Sequence, residues 1–476
     1  MDQPTPTTRQ KALALNLDAR TYGTFAEIGG GQEVARWFFA AGGAAGTVAK
    51  SISAYDMAVS DSLYGPSKRY VSRERLEAML ALEYSQLVNQ LGEKRGASKC
   101  FFAFANTVAT RRFGSDENGR GWLGVRFQAY PLAEPSDVII HVHLLDRGAA
   151  QEQEALGAVG VNLVYGAFFM HDAPERLIAS LLDELSRERL EIDMVKFSGP
   201  AFAAVDNRLM SLQLVELGLT DAAMFTAAGD VVQPSEVLYR KAILVERGSF
   251  RPATNLTLDL LQRAMELFLS DPAVRERGAP VVLAEMTLRN LTAAAGAGHK
   301  DFLARADILR ALGFDVLISR FELFYQLADY LAGYTDGPIG LALGLPAIRL
   351  LAEEGFYRNL PGGLLEAVGR LFKRSLKMYV YPERDRVTGR IQTWDSVELP
   401  RPWQHLHRLL AELGHIVPIR SFDESYLTIH TPEVLALIEN DDSSWERMVP
   451  PRVAEIIKAD RLFRRDAGQA GDRKQP

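Results

Sequence analysis

The chain has one cysteine, Cys100, in 476 residues. A single thiol forms no intrachain disulfide, so disulfide-stapled secreted scaffolds are excluded and a reducing cytoplasm is the expected compartment. No stretch reaches the roughly 18–20 uninterrupted apolar residues of a spanning helix. The N-terminus MDQPTPTTRQKALALNLDAR lacks the apolar segment of a secretory signal, and the alternating ten-residue strands of an outer-membrane barrel do not recur. Clustered lysine and arginine are missing too. The net charge is −6 with the two signs interspersed, which argues against a nucleic-acid groove or a membrane-binding face. CxxC, HExxH, EF-hand and G-x-S-x-G patterns do not occur, so zinc, calcium and hydrolase-elbow chemistry have no signature here.

What is present is a long alternation of strand-length apolar runs and helical patterns, which predicts α/β architecture. A chain of this length exceeds one ordinary core. The expected fold is two Rossmann-like, doubly wound, mostly parallel sheets with a helical C-terminal extension. The boundaries read as a flexible arm at 1–20, a first α/β domain at 21–238 and a second at 239–382. A polar excursion with C-terminal helices follows at 383–465, then a disordered tail at 466–476. In the first domain, apolar runs predict strands over 24–28, 100–105, 124–129, 138–144, 160–165, 191–197 and 222–225.

The richest segment is AILVERGSFRPATNLTLDLLQ, residues 242–262. An apolar run leads into Gly248-Ser249-Phe250-Arg251-Pro252, and a helical pattern follows through Leu258, Leu261 and Met265. A strand, a glycine turn and a helix start bring free backbone N–H groups and the positive end of a helix dipole to one point, where a phosphate is stabilised. Arg247 and Arg251 flank the turn and could clamp an anion through their planar forks; the other reading pairs them with Glu246 and Asp259. In a doubly wound sheet the carboxyl ends of strands converge, so Ser319 and Arg320 are expected opposite this turn.

Gly248-Ser249-Phe250-x-Pro252-x-Thr254-Asn255 resembles the signature of nicotinamide and nicotinate mononucleotide adenylyltransferases, a Rossmann-like family. The resemblance implies a phosphate- or nucleotide-binding cradle at Gly248, Ser249 and Phe250, with Arg247, Arg251, Thr254, Ser319 and Arg320 around it. It also implies Mg²⁺ and ATP as the needs of an active enzyme, with a pyridine mononucleotide as co-substrate. The family's histidine position is held by Thr257, and its second motif is reduced to Ile318-Ser319-Arg320. Over the whole chain, runs such as YGTFAEIGGGQEVARWFF and GGLLEAVGRLFKRSLKMYVYP are similar to a widespread bacterial family of about this length. Its members are described variously as nicotinate-nucleotide adenylyltransferases and TonB-dependent receptors. The absent barrel pattern excludes the receptor description. The expected function is therefore a nucleotide- or phosphometabolite-binding protein, as a nucleotidyltransferase-like enzyme or as a non-enzymatic assembly or regulatory protein. Its expected partner is a small phosphorylated ligand, and homo-oligomerisation is compatible with the chain.

A second glycine turn follows the run Thr24–Ile28. Glu27-Ile28-Gly29-Gly30-Gly31 resembles the first motif of class I methyltransferases, which implies a second ligand turn at Glu27, Gly29 and Gly31 with Asp56 on ribose hydroxyls. The other readings are a plain packing turn and, for Asp56, a helix cap. The small-residue run 42–51 departs from G-x₄-G-K-[ST], which excludes a P-loop. His141 and His143 share one face of a predicted strand. With Asp146 and His171 they are candidates for a metal site, or for a hydrogen-bonded polar rim.

Overall fold

Runs rich in β-branched and aromatic residues assemble into two large sheets, one in each half of the chain. The computed structural model describes residues 5–112, 114, 117–292 and 298–464. The expected tail at 466–476 and residues 1–4 of the arm lie outside these. The chain divides into two units, Met1–Ala223 and Met224–Pro476.

The N-terminal unit carries six strands: β1 (Thr21–Gly29), β2 (Val48–Ala54), β3 (Cys100–Ala109), β4 (Gly119–Phe127), β5 (Ser136–Leu144) and β6 (Leu190–Ser198). Their order is β2-β1-β3-β4-β5-β6. β1 pairs in parallel with β2 and β3, whereas the pairs β3–β4, β4–β5 and β5–β6 are antiparallel. The connections explain the split except at β5–β6, which is antiparallel although two helices lie between its strands. Helices lie between the parallel strands, while short loops link β3, β4 and β5.

Two local expectations fail in this unit. The run 160–165 is not a strand but part of the helix Ala149–Phe169, which is buried over most of its length. An element apolar all round is a fully buried helix as readily as a buried strand. Gly160 permits the packing: a Cβ there would lie 2.3 Å from a methyl of Val34. The arm expected to be loose is a helix, Thr8–Leu17, capped by Thr7 and Gln10. Ala12 and Leu15 are fully buried, and Lys11 Nζ lies 2.5 Å from Asp183 and 2.8 Å from Asn162.

The C-terminal unit holds a sheet of eight strands. They are β7 (Ala222–Phe225), β8 (Val231–Val232), β9 (Ile243–Arg247), β10 (Val281–Thr287), β11 (Asp315–Ser319), β12 (Ile339–Gly344), β13 (Lys377–Tyr381) and, after a small hairpin of β14 (Glu383–Arg384) and β15 (Ile391–Gln392), β16 (Ile416–Pro418). The order is β16-β13-β12-β9-β10-β11-β7-β8. The pairs from β16 through to β11 are parallel, and β7–β8 is antiparallel. The sheet therefore grows outward from β9 to β11, then restarts on the other flank of β9 with β12. That reversal makes the gap between β9 and β12 a topological switch point. The expected boundary at 238/239 moves to 223/224, because β7 and β8 extend this sheet next to β11. The Ala227 amide also donates to Asp315 at 2.8 Å. Among the described residues, no helix is long and apolar enough to cross a membrane.

Candidate functional site

At the carboxyl ends of β9, β12 and β13 the C-terminal unit opens a cavity of about 280 Å³. The turn after β9 forms one wall. Phe250 adopts a left-handed φ of 47° and folds its ring back over Gly248, where a Cβ would stand 3.0 Å from the ring. Thr254 caps the helix Asn255–Ser270, accepting from the Thr257 amide at 3.4 Å. Thr254 and Thr257 both line the cavity, together with Pro346, Tyr381 and His430. The start of a 16-residue helix thus faces a partly open cleft at the switch point.

Glu246 supplies the unusual group. It stands in the apolar run of β9, is 9 % exposed and lines the cavity. Among the described residues its Oε2 is buried without a hydrogen-bond partner, and burial pushes its pKa well above the usual carboxylate range. A protonated Glu246 offers one O–H to whatever occupies the cavity. From the sequence it reads only as a partner for an arginine; the available signal was a carboxylate inside a strand buried on both faces.

The flanking arginines do not form a clamp. Arg247 grips Glu285 through two nitrogens at 2.7 and 2.9 Å, and the Ser319 hydroxyl donates to the same carboxylate at 2.6 Å. Arg251 pairs with Asp301 at 2.5 Å, a carboxylate that it shares with Arg305. Arg305 in turn donates to the carbonyls of Ser249 and Asn290 at 3.2 and 3.1 Å, which holds the turn from beneath. The predicted partners were wrong because Glu285 and Asp301 lie on other elements, 38 and 50 residues away. Asp259 instead accepts from the Tyr381 hydroxyl and Arg263. Ser319 is brought to Arg247 through Glu285, whereas Arg320 is exposed and does not line the cavity.

In the N-terminal unit the second glycine turn is filled by the protein's own carboxylate. Glu27 accepts from the amides of Val34 and Ala35, both at 3.1 Å, at the start of the helix Glu33–Ala41. Asn106 bridges Glu27 and the Gly31 carbonyl at 3.1 and 3.0 Å. Cβ atoms at Gly29 and Gly31 would meet Val108 O and the Asn106 side chain. Asp56 caps the helix Met57–Tyr64, accepting from Ala58 and Val59 at 2.9 and 3.2 Å. The methyltransferase-like ligand turn is thus corrected to a packing turn, because the protein's own Glu27 carboxyl group occupies the helix N-terminus.

Burial raises Glu27 to a pKa of about 7, against the pull of these N–H donors. The native state therefore keeps a proton that the unfolded chain releases above its ordinary value of 4.5. Stability from this group is full below that value and declines as pH rises to about 7, by roughly 3 kcal/mol in all. Glu27→Gln is expected to flatten the fall of melting temperature between pH 5 and 7. An equally steep fall in the variant rejects the assignment.

His141 and His143 do share a face, but their partner is Asp193. Its two oxygens lie 2.6 Å from His141 Nδ1 and 3.0 Å from His143 Nε2. Asp146 pairs with Arg189, and His171 packs on Phe127.

Compared with protein-family models the chain matches none, and a comparison with curated proteins finds no match. Solved structures that align with about a third of the chain include competence- or damage-inducible proteins. The competence/damage inducible protein CihA from Agrobacterium tumefaciens aligns at 16% identity and a TM-score of 0.26, covering 34% of this chain and 97% of that one. A CinA superfamily protein from Enterobacter cloacae aligns at 14% and 0.26, covering 35% and 95%. One from Escherichia coli aligns at 15% and 0.25, covering 35% and 91%.

Proposed function

We propose that the C-terminal unit binds a nucleotide or a small phosphorylated metabolite in the cavity between β9 and β12. The observation that carries this reading is the meeting, at the switch point, of a long helix's N-terminus with the buried carboxyl of Glu246, whose Oε2 has no hydrogen-bond partner among the described residues. Open α/β sheets bind ligands at such crevices, and a helix N-terminus favours an anion there. Glu246, held protonated by burial, donates to a ligand oxygen rather than repelling it. Among the described residues that line the cavity none is lysine or arginine, which suits a ligand of low charge better than a polyphosphate. Thermal-shift and calorimetric titration with AMP, ATP and nicotinic or nicotinamide mononucleotide test it directly. Ala347→Trp, which fills the cavity from a half-buried lining position, is expected to abolish binding. Glu246→Gln keeps a donor and should retain binding, whereas Glu246→Ala should weaken it about tenfold, or about 1.4 kcal/mol. No shift with any of these ligands removes the reading.

Adenylyl transfer is the narrower version. It would need Mg²⁺ and ATP, and pyrophosphate release in the presence of a mononucleotide is its test. Thr257 offers no cation, and Arg247 and Arg251 are already held by the carboxylates of Glu285 and Asp301. These observations favour the second reading, a non-enzymatic assembly or regulatory protein that keeps the binding fold. Ligand binding without turnover, together with stable oligomers on size exclusion, would select it.

A further inference from the structure

We propose that His141, His143 and Asp193 of the N-terminal unit bind a divalent transition-metal ion. The site is independent of the cavity in the C-terminal unit. The three side chains come from neighbouring strands. His141 and His143 are two apart on β5, so they project from the same face. On β6 the register slips: His141 stands opposite Met194, and Val142 opposite Ile192. Asp193 is the extra residue of that β-bulge, opposite neither. A bulge re-aims one side chain without breaking the sheet, and here it delivers the Asp193 carboxylate to the histidine face. One donor atom from each residue falls within 4.8 Å of the others.

The donor set matches a metal's needs. Two imidazole nitrogens and one carboxylate oxygen suit zinc, cobalt, nickel or ferrous iron, and three protein ligands leave positions for water or substrate. The side chains of His141 and Asp193 are 3 % and 1 % exposed, while His143 is 23 % exposed. Two of the three ligands are therefore shielded and the third, His143, is open to an entering ion. Support for the ligands is in place. Trp122 packs on the His141 ring at 4.8 Å, with the Arg73 guanidinium over the indole. Across β4 and β6, Arg120 and Glu191 stand opposite His143 with cancelling charges. An ion taking the place now bridged by hydrogen bonds would sit against the buried anionic charge of Asp193. Binding would fix His143, the most exposed of the three.

The full-length protein, treated with chelator and desalted, is titrated with Zn²⁺ and Co²⁺ by calorimetry. One ion per chain is expected, with the visible spectrum of a low-symmetry, nitrogen-ligated Co²⁺ centre. His143→Ala, at the open edge, and the near-isosteric Asp193→Asn should each lose at least tenfold in affinity. The exposed His405→Ala should bind as the parent does. Circular dichroism checks each variant's fold. A parent protein that takes up neither ion overturns the proposal. So does the pale octahedral spectrum of an all-oxygen Co²⁺ site, or unchanged affinity in a folded His143→Ala.

Discussion

Glu285→Ala is expected to destabilise the C-terminal unit by about 3–5 kcal/mol, the largest effect of any single substitution considered. Glu285 is fully buried and Arg247 is 10 % exposed. Removing the carboxylate leaves a guanidinium without its bidentate acceptor and the Ser319 hydroxyl without its own. The cost comes from the stranded charge rather than from a strong pair. The double replacement Arg247→Met with Glu285→Leu should therefore cost far less than the single one, since both ions lose their desolvation penalty together. Amide exchange at β9 and β10, followed across a urea series, measures the local stability. A single-variant loss below about 1 kcal/mol, or a double variant as unstable as the single, would rule this out. The same ladder sets the GSFRP turn, so ligand binding should fall with it.

Gly29→Ala should cost about 2–4 kcal/mol in the N-terminal unit. Gly29 has φ +79° and pairs with Val108 of β3. An added Cβ would lie 2.1 Å from the Val108 carbonyl oxygen, a backbone atom that cannot move without shifting the strand. Gly43 is the internal control. It is left-handed, with φ +76° and ψ 4°, but the nearest atom to a Cβ there is the Asn16 Cβ at 3.5 Å, an ordinary contact. Gly43→Ala should show only the intrinsic strain of the left-handed region, roughly 1–2 kcal/mol. Thermal unfolding of both variants separates strain from collision. Equal losses would mean that the close approach of β1 and β3 does not matter.

Several features were readable locally. The strand, turn and helix around Gly248 follow from an apolar run, a glycine cluster and a threonine cap within fifteen or so residues. The Asp56 cap follows in the same way from one acidic side chain before a helical pattern. Other features were not. GVNLVYGAFF is apolar in both the helical and the extended period, so only the neighbours it meets could choose between them. β7 and β8 carry no mark of which sheet they join. Asp193 is invisible as a partner of His141 because a bulge, not the alternation, aims it.

The functional residues divide along the same line. The sequence by itself determined the α/β class, where the glycine turns fall and which residue types surround them, because these depend on period, capping and backbone freedom over one turn or strand. Tertiary structure decided who neutralises whom. It assigned Glu285 and Asp301 to the arginines of the GSFRP turn and Glu27 to the helix start beside Gly29, and it left the Oε2 of Glu246, a residue that lines the cavity, without a hydrogen-bond partner among the described residues. Charges find partners across strand registers and packed helices, and a register is set only when whole faces are buried together.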